Sequence, residues 1–566
     1  MSTSPEGAAL VAVDRSGDLR EKGLAGNALT LKDSVIIGLA STAPAYSLAA
    51  TIGYVVLEVG DFTPAAILVA FIPMLFTAFA YRELNRAVPD CGTTFTWGAK
   101  AFGPWVGWIG GWAVALAGTI FLANAAEVAA YYFYSALASM GVGPAEGLAD
   151  NPAAVTSLGA LSIALMTYIS YRGIEISARM QNILVYFQYG VLVLFALALG
   201  YTIVTDGLPE GGVSPSISML NPLNIEGSSA LIAAVVLCVF LFWGWESTLA
   251  VNEETENPDK TPGRAAIIST VLLLITYLLV STGVVSFGGT GAGLLDYSEE
   301  AVADGSADDV FTPLAGAVGL WLVILIQLAI VVSALSSSQT TIMPTTRGML
   351  SMGAYKALPE SFARVHPYYK SPGFSTAVMG IAAIVYYVGM SFISQNLLYD
   401  SIYSIGLAIT FYYALTGFSS VWYFRHDLRV SARDFFVKGL LPLVGALALT
   451  YVFVLSARDM MDPENNFTSI GNVGAAFVLG IGGLVLGAVI MVLLAFRREQ
   501  RPFFRGETLT VDTPVLVPEY EHAVVVTHEI PAGAEVDVDE VENVLDVLEE
   551  ELEAEHEAER GSDEGR

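Results

Sequence analysis

The sequence predicts an all-α polytopic membrane protein with twelve transmembrane helices. Three observations carry this: apolar runs of 18 or more residues, a scarcity of charge, and the sorting of basic residues to one side of those runs. The 566-residue chain has a mean hydropathy of +0.59, with 54% apolar and 14% charged residues, against about 25% charge in a soluble globular protein. Runs of this length match the hydrocarbon thickness of a bilayer when coiled as helices. Helices are required because lipid offers backbone polar groups no water to bond. Barrel strands would be about ten residues long and would alternate apolar with polar, and these runs do neither.

The apolar runs place spans at roughly 34–57, 65–82, 104–134, 155–171, 183–204, 229–250, 265–287, 313–337, 374–392, 397–422, 437–456 and 471–496, with the third and eighth able to extend further. Placing the N-terminus in the cytoplasm puts 25 of the 26 basic residues on the cytoplasmic side, and only Arg458 outside. That is the asymmetry expected of short loops in a membrane protein. One missed or invented helix would scramble the later loops, so the charge pattern supports an even number of spans, with both termini inside at the cell membrane. The outer stretch GGTGAGLLDYSEEAVADGSADDV has acids and no base.

The ends of the chain carry further information. The segment 1–32 reads as a cytoplasmic lead without the apolar core of a signal peptide, so insertion is expected to begin with the first span. Residues 33–500 form the membrane domain, and 501–566 an acidic cytoplasmic tail. RREQRPFFRGE, after Phe496, has the basic and aromatic character of an anchor to lipid headgroups. Beyond it, strand-like alternation gives way to a helix-favouring stretch at 539–557, which fits either a small folded appendage or a mostly disordered tail. The formal charge of −29 is concentrated at this end. An acidic, lysine-poor surface fits a protein hydrated in concentrated salt, hence a halophilic source, or else a regulatory tail. It excludes a general nucleic-acid role, which needs Lys and Arg for phosphates. The two cysteines, Cys91 in a cytoplasmic loop and Cys238 within a helix, offer no disulfide framework or cysteine metal site.

Two spans contain features that bear on chemistry. In the first, DSVIIGLASTAPAYSLAATIGYVV, Pro44 removes a backbone donor in mid-membrane, after Ser41, Thr42 and Ala43, and Gly38 loosens the helix earlier. The residues allow a kink or a full break. A break would free N–H groups at the positive end of the second half-helix, ready for a carboxylate, with the stretch from Gly38 to Ala45 acting largely through its backbone. In the sixth span, Phe242, Trp243, Gly244, Trp245 and Glu246 interrupt an aliphatic stretch. This reads as a second break or as an interfacial tryptophan belt. Glu246, ionisable within or just below the apolar zone, needs a partner or a proton. The following Glu253–Pro258 segment, with Lys260 and Arg264, reads as a cytoplasmic linker whose acids either pair as a gate or are solvated. Breaks five spans apart imply two inverted five-helix repeats, about 33–205 and 229–422, with peripheral helices at about 437–496.

Other polar positions give weaker signals. Glu127 is expected near the outer end of span three, and Asp400 at an interface. Tyr403, Tyr412 and Tyr413 can face a pathway or pack. Ser333, Ser336, Ser337 and Ser338 can coordinate a cation or satisfy helix carbonyls. Phosphate loops, HExxH pairs and selectivity-filter signatures are missing. Direct ATP drive and metal-dependent catalysis therefore have no support, and neither an enzyme activity nor a cofactor is expected.

Three stretches together carry a family resemblance: IIGLASTAPAYSLAATIG at 36–53, AYRELNRAVPDCGTTFTWGAKAFGPWVGWIGGW at 80–112 and FWGWESTLAVNEETENPDKTPGRAAI at 242–267. The chain resembles amino acid permeases of the amino acid–polyamine–organocation (APC) superfamily over about residues 22–500. The resemblance implies a LeuT-like fold of inverted five-helix repeats plus two peripheral helices, and secondary transport of an amino acid by alternating access. It implies that backbone around Ser41, Thr42, Ala43, Pro44 and Ala45 holds the solute carboxylate. Phe242, Trp243, Gly244, Trp245 and Glu246 would meet its amino group, with Trp243 or Trp245 as an aromatic lid. Many members place a lysine in helix five where this chain has Gln188. Gln188, Ser333, Ser336 and Ser337 thus become candidates for a coupling-ion site, with Na+, H+ and uncoupled exchange all open. A polyamine or organic-cation carrier and an amino-acid-binding membrane sensor are the alternatives. Partners implied are the small solute and membrane lipids; oligomeric state is not legible.

Overall fold

The computed structural model describes residues 22–145, 147–289, 294–295 and 309–515. The expectations for residues 1–21, for most of the acidic outer loop and for the tail from 516 onward fall outside the described residues. Helices dominate the rest. They are α1 Leu31–Ser41, α2 Pro44–Val59, α3 Thr63–Ala87, α4 Thr94–Phe102, α5 Pro104–Ser139, α6 Pro152–Tyr171, α7 Ile174–Asp206 and α8 Ser228–Leu241. Next come the single turn α9 Ser247–Ala250, α10 Thr261–Gly288, α11 Phe311–Val318, α12 Leu320–Ala354, α13 Gly373–Ile393, α14 Gln395–Tyr423, α15 Leu441–Met461 and α16 Ala475–Ala495.

Each of the twelve apolar segments read from the sequence falls mostly on helix, interrupted at 42–43, 242–246 and 319, with 471–474 in a turn and strand ahead of the last helix. By length and composition alone, ten continuous helical runs among the described residues can cross a membrane. The numbers differ for physical reasons. The first run, 31–87, is 57 residues long and contains α1, α2 and α3, two of the expected spans together. The sixth expected span is divided between α8 and α9, so its longer half is a shorter apolar helix, Ser229–Leu241, below the crossing length.

Local sequence explains the helix ends that matter. A capping box starts α1: Thr30 Oγ1 accepts from Asp33 N–H (3.3 Å), and Asp33 Oδ2 accepts from Thr30 N–H (3.2 Å). Long α5 and α12 make the most extensive helix contact, with small residues at the seam. A Cβ at Gly118 would come within 2.9 Å of Thr345 Oγ1, so glycine there sets the spacing. Gly38 lies inside α1 and does not loosen it. A Cβ at Gly38 would meet Ser269 Oγ at 2.7 Å and Thr248 Cγ2 at 2.9 Å, so its role is close packing against α10 and α9.

The broken pairs run antiparallel: α2 packs along α8, while α1 meets α9. Helices α15 and α16 lie outside this core, against α14, α3 and α5. They are joined by a two-residue hairpin pairing Ser469 with Gly474 and Ile470 with Val473. Asp400 is buried there and accepts from Phe467 N–H (2.9 Å), capping the hairpin approach.

Candidate functional site

The first span is broken, not kinked. Thr42 caps α1, Ala43 is left-handed (φ 46°, ψ 61°), and Pro44 is the first residue of α2. That position suits proline, whose missing N–H would have no intrahelical partner there. Of the other α2 N-terminal donors, Tyr46 N–H is taken by Ser333 Oγ (3.2 Å) and Ser47 N–H by Ala43 O (2.7 Å). Ala45 N–H has no hydrogen-bond partner among the described residues.

The second break is a run of turns over residues 242–246. Gly244 has φ +116°, a conformation glycine adopts without strain. A Cβ on it would lie 2.7 Å from both C and O of Ser41 and 3.0 Å from Thr42 N. The two breaks are therefore in backbone contact, and only glycine permits it. Ser41 Oγ and Ser247 Oγ are 2.7 Å apart and complete the junction.

Glu246 lies at the centre of a hydrogen-bonded chain. Its Oε1 accepts from Tyr412 Oη (2.6 Å), and its Oε2 from Tyr413 Oη and from Gly244 N–H (3.0 Å). Trp243 Nε1 donates to Tyr412 Oη. The Trp243 ring packs edge-on to Phe121 (5.0 Å) and stacks on Phe240 (6.3 Å). A polar chain of this kind inside a low-dielectric core is mutually reinforcing and directional.

A cavity of about 40 Å³ adjoins this constellation and reaches from Trp243 and Tyr412, past Ser41 and Gly244, to Gly92 and Gly348. Of the residues read from the sequence, Ser41, Trp243, Gly244, Glu246 and Tyr412 line it. Thr42, Ala43, Pro44, Ala45, Phe242 and Trp245 form the breaks behind that lining. Trp243 is the tryptophan at the cavity, while Trp245 is buried against Tyr81 (5.2 Å) and Tyr413 (5.6 Å). Tyr81, Thr94, Ser247 and Thr345 also line the cavity and were not read as site residues.

The serines of α12 tie it to three other helices. Ser333 accepts from Tyr46 N–H on α2, Ser336 Oγ donates to Gln181 Oε1 on α7, and Ser337 Oγ donates to Ser41 O (2.6 Å) at the first break. Ser338 Oγ donates to Ala334 O (2.7 Å) within its own helix. Gln181, two turns before Gln188, is the glutamine that meets these serines. Gln188 is buried, and neither polar atom of its amide has a hydrogen-bond partner among the described residues. Glu127 accepts from Tyr387 Oη across to α13 and takes no part in the site. Tyr403 packs on Tyr54 (6.3 Å) and Phe467 (5.9 Å), also away from it.

Below the cavity lies a buried ion cluster that the sequence only half announced. Lys22 Nζ contacts Asp90 Oδ2 (2.7 Å) and Glu253 Oε1 (2.5 Å), with all three side chains fully buried. Asp90 also accepts from Gly92 N–H (2.8 Å), Thr96 Oγ1 (2.7 Å), Ser351 Oγ (2.7 Å) and Tyr355 Oη (2.9 Å). Burial alone would raise the Asp90 carboxyl, but Lys22 and these donors outweigh it and bring its pKa down to about 2. Burial disfavours the Lys22 ammonium, yet Asp90 and Glu253 hold its pKa well above the usual range. Burial, then the repulsion of Asp90, pushes Glu253 above the ordinary carboxylate range against the pull of Lys22. Beside this cluster, Arg347 grips Glu254 through two nitrogens, Nε to Oε2 and Nη2 to Oε1 (2.9 Å). Backbone bonds from Leu29 N–H to Glu254 O and from Glu256 N–H to Leu29 O (both 2.9 Å) bind the N-terminal segment to the same turn. Glu253 and Glu254 of the linker are thus paired and buried, with Lys22 and Arg347 as partners, whereas Glu256 is exposed and Lys260 pairs with Asp259 (3.6 Å).

The amino acid permease family model matches residues 34–483. The chain is 28% identical over 323 residues to the branched-chain amino acid permease BcaP of Bacillus subtilis, covering 55% of this chain and 64% of that protein. It is 24% identical over 438 residues to the low-affinity putrescine importer PlaP of Escherichia coli, covering 75% and 88%. The methylthioribose transporter of Bacillus subtilis is 25% identical over 331 residues, covering 56% and 66%. The match thus spans less than two thirds of the branched-chain permease's length. Paired helix breaks in backbone contact, a cavity beside them and a family match covering both breaks lead to one assignment: the chain belongs to the amino acid permease family, a family of membrane transporters and not of enzymes.

Proposed function

We propose that this protein is a secondary transporter that carries an amino acid across the cell membrane by alternating access. The observation that carries the reading is the backbone contact of the two helix breaks at Ser41 and Gly244, beside the Glu246–Tyr412–Trp243 chain. Half-helix N-termini suit carboxylates, and carbonyls and acids suit amines. Ala45 N–H would take the solute carboxylate, and Glu246 with the C-terminal end of α8 the amino group. Trp243 would close one end of the path. The Lys22–Asp90–Glu253 and Arg347–Glu254 groups would latch the other.

In this reading the chain crosses the membrane twelve times with both termini in the cytoplasm, as 5+5 inverted repeats plus α15 and α16. The antiparallel packing of the broken pairs supports the inversion. The serine ties between α12 and the first break are the place for a coupling cation, Na+ first, with H+ coupling or exchange as the alternatives. The net charge of −29 fits function in concentrated salt.

A polyamine carrier is the second reading, favoured by the carboxylate of Glu246 at the cavity and by the similarity to a putrescine importer over most of its length. Counterflow of labelled amino acids and polyamines in proteoliposomes separates the two. Activity with polyamines alone would replace the first reading with the second.

A further inference from the structure

The basic face of the molecule, where Lys22 is latched, carries a second cavity of about 440 Å³. This is within the size range of small-molecule sites, about 300–1,000 Å³. One wall is Lys22 and Gly23. The other is the connection between α12 and α13, where Glu360, Arg364, His366 and Lys370 line it. The Lys22 ammonium is committed to Asp90 and Glu253. The side chains of Arg364 and Lys370 have no ion pair or hydrogen bond among the described residues.

His366 adds a third donor. Its Nδ1 accepts from the N–H groups of Tyr368 (3.2 Å) and Tyr369 (3.1 Å). A ring nitrogen that accepts two hydrogen bonds carries no proton, so in the neutral ring the proton is on Nε2. The loop that presents these groups is tied down. His366 N–H donates to Ser371 O (2.8 Å), Lys370 N–H to His366 O (2.9 Å) and Ser371 Oγ to Tyr171 O (2.6 Å). The His366 ring packs against Tyr369 (4.6 Å) and Tyr171 (5.6 Å). A guanidinium, an imidazole N–H and an ammonium on one rigid loop are the donor set of an oxyanion site. The loop ends where the apolar α13 begins at Gly373, and Tyr368 (81% exposed) and Phe374 (43%) flank the site. Exposed aromatics beside cations mark the level of lipid headgroups.

We propose that this cavity binds a phosphate-bearing anion, a phospholipid headgroup or a soluble phosphate ester, through Arg364, His366 and Lys370, and that the bound anion holds the Lys22 latch shut. The second half follows from the shared wall. Lys22 cannot leave Asp90 and Glu253 without the Lys22–Gly23 wall moving off the occupant. An anion that binds only the latched state lowers the opened fraction by the factor 1 + [L]/Kd, about elevenfold at ten times Kd. This inference rests on the latch in the proposed mechanism, and Lys22→Met (Discussion) tests that latch by itself.

The test uses the full chain with Cys238→Ala, in nanodiscs that leave both faces accessible. Cys91 is buried beside the latch, so its alkylation rate by N-ethylmaleimide reports opening. Rates are compared in zwitterionic lipid, in lipid containing phosphatidylglycerol, and in zwitterionic lipid with inorganic pyrophosphate. The expected result is a slowing of about tenfold in at least one anion arm, lost in the Arg364→Gln/Lys370→Gln double variant, whose rate in zwitterionic lipid stays that of the parent. Slowing by phosphatidylglycerol alone identifies a headgroup, and slowing by pyrophosphate a soluble phosphate ester. Equal rates in all three arms, or slowing that persists in the double variant, would overturn the proposal.

Discussion

Replacing Lys22 by Met tests whether the buried ion cluster is a latch. The substitution keeps the length of the side chain and removes its charge. Asp90 and Glu253 are then left facing each other, fully buried, without a counter-ion. Breaking a buried ion pair by removing one partner costs about 3–5 kcal/mol. Glu253 can relieve part of this by taking a proton, since its pKa already lies above the usual range, so the lower figure of about 3 kcal/mol applies. At about 1.4 kcal/mol per decade, that multiplies the open-to-latched ratio by roughly 150. Cys91 N–H donates to Glu253 Oε1 (2.8 Å) and its thiol is buried, so alkylation waits for the latch to open. In a Cys238→Ala background at fixed pH, Lys22→Met should therefore raise the Cys91 alkylation rate by roughly two orders of magnitude. Adding Glu253→Gln should recover a large part of the difference, because only one buried carboxylate is then uncompensated. An unchanged rate in a protein that still purifies as a monodisperse species would refute the latch.

Three further predictions follow from the same geometry. Gly244→Ala forces a Cβ to within 2.7 Å of Ser41 at a left-handed position; strain of about 1–3 kcal/mol should weaken solute binding by about tenfold or more, and Gly244→Leu should abolish it with membrane insertion intact, whereas retained transport by the leucine variant would contradict the tight junction. Burial and Asp90 raise the pKa of Glu253, so the folded state binds its proton more readily than the unfolded state and this residue's contribution to stability declines as pH rises through its folded pKa; thermal melting of Glu253→Gln should accordingly depend less on pH above the ordinary carboxylate range, and an unchanged slope would sink that assignment. Ser336→Ala and Ser337→Ala should weaken Na+ stimulation of uptake without ending uptake, and stimulation by a pH gradient with none by Na+ would remove the serines from the coupling role.

Much of the fold was legible because bilayers impose length and composition on the sequence. Apolar runs mark the helices, and the breaks were signalled by Pro44 and by glycine between two tryptophans. The sequence could not say whether Pro44 kinks or breaks its helix, since that depends on Ala43 adopting a left-handed conformation held by tertiary contact. It also misplaced Gly38, because a glycine that loosens a helix and one that lets another helix approach look alike in one dimension. The latch was the least legible part. Lys22 precedes the first helix in an unremarkable polar segment, and its partners are 68 and 231 residues away. Arg347 did leave a signal, as the lone charge in a 35-residue helix. Gln181 and Gln188 could not be told apart from their neighbours alone, and only the packing of α7 on α12 selects Gln181 for the serines.

The central claim is transport through the joined helix breaks. Counterflow in proteoliposomes tests it most directly, with a panel of labelled amino acids and polyamines, each with and without Na+ and a pH gradient. At least one amino acid should accumulate against preloaded unlabelled solute, and Gly244→Leu protein in the same vesicles should accumulate none. Inactivity across the whole panel, or equal accumulation by the Gly244→Leu protein, would contradict it.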